Sequence, residues 1–109
     1  MKKTKRESLE RKGWRVGSVA SFLELSEAES ALVELKLLLG RSLRERRTKH
    51  GLTQLELARQ LRSSQSRIAK MEAADSSVSV DLLVRSLFAL GATAKDLGRE
   101  LARSHASHL

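Results

Sequence analysis

Gln65, Ser66, Arg67 and Lys70 place four polar side chains within one short stretch, directly after the pair Ser63 and Ser64. Their chemistry is recognition rather than bond-making. The base edges in a major groove present mixed donors and acceptors. A carboxamide can pair two-pronged with adenine, a guanidinium with guanine, and a hydroxyl with either. A lysine adds a compact charge suited to a phosphate or a base. On a helix, Ser66, Arg67 and Lys70 share one side while Ile68 and Met71 take the other, and Gln65 stands at the tip.

Such side chains need a rod to hold them clear of the domain, and the flanking residues supply its limits. Hydroxyl residues, Ser63 and Ser64, introduce the run. Upstream, Thr53 and Glu56 fit a capping box, and Leu52 with Leu57 fits the hydrophobic staple that sets chain entry. The spacing predicts a short helix from Thr53 to about Leu61, burying Leu55, Ala58 and Leu61. A tight connection through Arg62, Ser63 and Ser64 leads to a second helix that starts near Gln65. Two helices joined by so few residues cross steeply, so the first braces the second and leaves one side of it open. Free backbone amides at both helix starts are further candidates for holding phosphate oxygens.

The rest of the chain is punctuated by glycines and caps, since it contains no proline. Residues 1–12 are polar and basic, and read either as a solvated tail or as an arm for phosphates. Gly13 and Gly17 then interrupt an apolar cluster of Val16, Val19, Phe22 and Leu23. A short helix over about residues 19–25, capped by Ser18, is expected there, or an extended piece at residues 14–16. Ser26 and Glu29 fit a capping box that opens a long helix, with Ala28, Ala31, Leu32, Leu35, Leu38, Leu39 and Leu43 as its buried stripe. Gly40 weakens its middle, and Gly51 is placed to end it in the left-handed conformation. Downstream, Ser79 caps a helix carrying Val80, Leu83, Val84, Leu87 and Phe88, closed by Gly91. Thr93 and Asp96 open a last helix with Leu97 and Leu101, and the tail is expected to fray. The fold class is all-α. The expected divisions are a basic arm and leader over residues 1–25, a helical domain over 26–103 and a frayed tail over 104–109.

Composition narrows the function. The 109 residues fit one small domain, and a formal net charge of +8 points to a polyanionic partner. Nucleic acid leads. Only three residues are aromatic, too few for the stacking platforms of single-strand binders. The absence of cysteine excludes disulfides and thiolate chemistry. His50, His105 and His108 show no ligand spacing, the serines lack a G-x-S-x-G setting, and no glycine-rich phosphate loop occurs. No catalytic residue, metal or cofactor is therefore assigned, and an enzyme is not expected. The basic start is followed by no apolar segment of signal or transmembrane length, so a cytoplasmic protein with no membrane role is expected.

The motifs "LTQ..LA", "SQS.IA..E" and "S...L......LGA", as they stand in residues 52–92, resemble the Cro/repressor-type (Xre) helix-turn-helix domain. The resemblance covers about residues 29–103. It implies a lambda-repressor-like domain of five helices, with a short N-terminal extension, that binds double-stranded DNA. By this resemblance Gln54 braces the phosphate backbone, while Gln65, Ser66 and Arg67 enter the major groove and Lys70 follows as a phosphate or base contact. Ser64 joins them, with Thr53, Arg62 and Ser63 as phosphate-contact candidates. The function expected is a repressor, acting as a homodimer on a palindromic operator. Two glycines frequent in the family are replaced here by Arg62 and Ala74, which implies an altered turn or a left-handed Arg62 at a cost of about 1–2 kcal/mol.

The leader GWRVGSVASFLELSEAES resembles that of HigA-type antitoxins, which neutralise a ribonuclease toxin, so a toxin partner is the alternative expectation. Residues 24–34 hold Glu24, Glu27, Glu29 and Glu34 without a basic residue: either a docking face for a basic partner or charges that favour the helix start. Trp14, Val16 and Phe22 fit a partner-binding patch or the domain's own core. The cluster over residues 41–49, with Arg41, Arg44, Arg46, Arg47 and Lys49, fits a phosphate-contacting helix end or a solvated one. Glu72 is placed to brace Arg44 or Arg47.

Overall fold

A computed structural model describes the backbone of residues 19–107 and the side chains of residues 26–103. The basic arm, Gly13, Trp14, Val16, Gly17 and the expected cap Ser18 lie outside the described residues, as do the side chains of Phe22, Leu23, Glu24, His105 and His108. Five helices follow in order: α1 (Val19–Lys49), α2 (Gln54–Gln60), α3 (Gln65–Glu72), α4 (Val80–Ala89) and α5 (Ala94–Ser107). The described residues contain no strand, and none of their helices is long and apolar enough to cross a membrane. The described residues divide into two units, the first ending at Leu32 and the second beginning at Val33.

α1 differs from the expected pair of helices. It runs without a break through Ser26, so Ser26 and Glu29 are exposed residues of a helix interior and not a cap. Capping requires an extended residue ahead of the first turn, and between residues 19 and 39 no glycine or proline imposes one. The expected buried stripe is also shorter than predicted. Leu39 and Leu43 are buried and Leu35 and Leu38 half-buried, whereas Ala28, Ala31 and Leu32 are exposed.

In the second unit the core gathers Leu39 and Leu43 of α1, Leu57 and Ala58 of α2, Ile68 and Met71 of α3, and Leu83 and Leu87 of α4. Leu90, Ala92 and Leu97 close it from the turn into α5. Two expectations for its lining need correction. Leu55 is 44% exposed and Leu57 fully buried, because Leu57, Ala58 and Leu61 share one face and Leu55 lies more than a quarter-turn away from it. Phe88 is likewise exposed, and the buried face of α4 is completed by Ser86. At the chain end α5 extends to Ser107, four residues into the tail expected to fray.

Every helix from α1 to α4 stops in the same way. The residue after the C-cap takes a positive φ: Gly51 at 70°, Arg62 at 56°, Ala74 at 57° and Gly91 at 95°. Each is followed by a long back-bond: Leu52 N–H to Arg47 O, Ser63 to Ala58, Asp75 to Lys70 and Ala92 to Leu87, at 2.7–3.1 Å. These are Schellman endings, which satisfy carbonyls the helix leaves unpaired. Arg62 and Ala74 keep the geometry that glycine would adopt freely and bear the strain of a Cβ there.

Gly40 has a different reason to be glycine. A Cβ on it would lie 2.8 Å from Met71 O and 2.9 Å from Glu72 O. The bare backbone of α1 thus receives the last carbonyls of α3. Gly40→Ala is expected to destabilise by about 1–3 kcal/mol through this overpacking, although alanine is the better helix former. Arg62→Gly and Ala74→Gly are each expected to stabilise by about 0.5–1 kcal/mol, the relieved strain exceeding the added freedom of the unfolded chain. Urea unfolding followed by circular dichroism reads all three signs.

Candidate nucleic-acid interface

Each helix of the pair begins on a cap that the local sequence provides. Thr53 is extended, its hydroxyl accepting from Glu56 N at 3.1 Å while its own N–H donates to Glu56 Oε1 at 2.8 Å. Ser64 is also extended and accepts from Arg67 N at 3.1 Å. Only Leu61, Arg62, Ser63 and Ser64 separate α2 from α3, and the left-handed Arg62 makes that interval short enough for the two helices to pack.

α3 is two-sided. Ile68 and Met71 are sealed in the core, while Gln65, Ser66, Arg67 and Lys70 are exposed. Ser64, Ser66, Arg67 and Lys70 line one concavity of about 280 Å³, joined by Ser77 and Leu82. Gln65 is exposed at the first position of α3 but is not part of that lining. Arg62 and Thr53 are exposed. Ser63 is placed otherwise: its hydroxyl is buried without a partner among the described residues, and its N–H is spent on Ala58 O. Ser63 lines the same groove as Arg62, Ser64 and Arg67.

The far end of α3 is pinned by Glu72. Arg47 Nε donates to Glu72 Oε2 at 2.5 Å and Nη2 to Oε1 at 3.1 Å, a two-pronged pair with side chains only 11% and 6% exposed. Arg47 also donates to Leu52 O at 2.8 Å, so of the two arginines weighed as braces it is Arg47 that serves. Hydrogen bonding to Glu72 holds the Arg47 guanidinium above its ordinary pKa, outweighing the opposing effect of burial. Gln54, half-buried, donates its amide to the same carboxylate at 3.1 Å, which leaves the second amide hydrogen for another acceptor.

Some neighbours were not singled out from the sequence. Asp75 accepts from Ser77 N at 2.9 Å and Ser77 Oγ at 2.5 Å. These bonds hold its carboxyl below the usual range, with Lys70 and Lys36 adding to the effect. The Asp-x-Ser spacing was the available signal, since an Asp side chain commonly bonds the backbone two residues on. A wider groove of about 590 Å³ lies beside the concavity and includes Arg62, Arg67 and, from α4, Arg85. Nothing local to α4 distinguishes Arg85 from a solvated residue. The basic cluster of α1 is divided: Arg41, Arg44 and Lys49 are exposed, while Arg46 bonds Glu100 at 2.6 Å beside Ser42. His50 places Nε2 3.3 Å from Leu90 O, and no group of three or more His, Cys, Asp or Glu that could hold a metal occurs among the described residues.

Residues 43–87 match the family model described as Helix-turn-helix, a span that runs from the end of α1 through α2 and α3 into α4. No curated protein and no solved structure matches the chain.

Removing one member of the buried pair leaves an uncompensated charge. Glu72→Ala is accordingly expected to destabilise by about 3–5 kcal/mol, and the double replacement Arg47→Met with Glu72→Leu to recover most of the loss. Urea denaturation of the two variants checks this, a double variant as unstable as the single one being the contrary result.

Proposed function

We propose, from the premise that residues 43–87 form an Xre-type helix-turn-helix domain that binds DNA, that the chain is a sequence-specific transcriptional repressor working as a homodimer on a palindromic operator. One observation carries the reading. Gln65, Ser66, Arg67 and Lys70 are exposed along a helix whose opposite side is locked into the core by Ile68 and Met71. In this reading α3 enters the major groove, with Gln65 suited to adenine, Arg67 to guanine, Ser66 to either and Lys70 to a base or phosphate. Gln54, Thr53, Arg62, Ser63 and Ser64 hold the backbone and set the register. Half-sites about one helical turn apart follow from two-fold symmetry.

The test separates the two roles. Gln65→Ala and Arg67→Ala are each expected to relax discrimination at one base position by about 1–3 kcal/mol, and Gln54→Ala to weaken all sequences alike. Site selection followed by fluorescence anisotropy measures both; full discrimination in the Gln65 and Arg67 variants would sink the assignment.

A second reading, in which the chain is chiefly an antitoxin that silences a basic ribonuclease, is favoured by residues 26–34. All are exposed, and they include Glu27, Glu29 and Glu34 as well as Leu32 and Val33, the last two 49% and 57% exposed. A partner so recognised should co-purify with the full chain and be lost on charge reversal at Glu27 and Glu34, whereas retention after reversal speaks against this segment.

A further inference from the structure

The concavity beside α3 does not end at α3. It shares Ser64, Arg67 and Leu82 with the wider groove between the turn and α4, so the two form one continuous surface. Three arginines from three different elements line the wider part: Arg62 from the turn, Arg67 from the first turn of α3 and Arg85 from α4. No carboxylate lines it. Its floor includes Ile68 and Met71, both almost wholly buried and packed in the core, so a ligand must sit at the rim where the guanidinium groups are.

That arrangement fits the edge of a duplex groove. A helix seated among base edges has a sugar-phosphate wall on either side, about 12 Å apart in the major groove. Protein surface flanking the helix therefore meets phosphodiester oxygens. A guanidinium fork matches two such oxygens at once. Arg85 is available for exchange: its Nη2 lies 2.9 Å from Asp81 Oδ2, but the side chains are 71% and 74% exposed. An ion pair so open to water contributes little to the fold.

We propose that Arg85 is a further phosphate-binding residue, acting with Arg62 on the flank of the base-reading Arg67 and carrying the DNA interface from α3 on to α4, and that Asp81 competes with the phosphate for its guanidinium. The proposal rests on the reading of α3 as the helix that enters the groove. Asp81 then tunes affinity from within the chain, without touching a base.

The experiment uses the full-length protein and a duplex obtained by site selection, with unfolding midpoints compared to confirm that the variants remain folded. Arg85→Gln is expected to weaken binding about threefold to tenfold near 0.1 M salt and to lower the slope of log affinity against log salt by about 0.9, with base preference unchanged. Asp81→Asn is expected to tighten binding about twofold to threefold, with a smaller gain when Arg85 is already Gln. If Arg85→Gln leaves affinity and slope unchanged while Arg67→Ala and Lys70→Ala weaken binding, the proposal is overturned and the reading of α3 survives. If those two variants also bind normally, that reading has failed and the proposal with it. A shifted base preference in Arg85→Gln overturns the phosphate assignment.

Discussion

A single carboxylate ties α3 to both of the helices that precede it. α3 is two turns long, too short to persist alone in water, and its exposed side can contribute nothing to its own stability. Glu72, at its last position, compensates by accepting from Arg47 of α1 and Gln54 of α2 at once. Because these groups are largely out of water, the charges must be matched closely or the desolvation cost dominates. The geometry permits that match only because Gly40 lets the end of α3 approach the backbone of α1. The end of α3 toward the core is thereby anchored, and the end bearing Gln65 and Ser66 stands free.

Short helices in quick succession require abrupt stops, and the chain makes four of them with one device. At Gly51 and Gly91 the device suits the residue, while at Arg62 and Ala74 it does not. Local preference and global demand conflict at those two positions, and both border α3. The strain persists because the surrounding contacts leave no alternative: the buried Ile68 and Met71 fix where α3 must begin and end. What Arg62 loses in backbone comfort it offers in charge, since its side chain lines the groove beside Arg67.

Much of this was legible in the residues. The caps at Thr53, Ser79 and Thr93 each operate as their spacing implies, because a capping bond spans only three residues and needs no help from the rest of the fold. The inward pair Ile68 and Met71 and the brace at Glu72 were equally accessible. Misreadings arose where spacing was taken as sufficient. Ser26 and Glu29 have the right separation for a capping box, but helix continues on both sides of Ser26. Leu55 matches a three-residue repeat with Ala58, yet the core lies toward Leu57.

The sequence by itself determined where α2 to α5 start, where α1 and α4 stop at a glycine and which short segment is polar on one side, since these follow from bonds and periodicities spanning a few residues. Only the tertiary structure decided how far along α1 the core extends, which of two neighbouring serine hydroxyls is buried, and that Arg85 of α4 shares a groove with Arg62 and Arg67. The physical reason is the same for all three. Burial, and the walls of a groove, are made by surfaces from segments distant in the chain, and no local repeat carries the angle at which those segments meet.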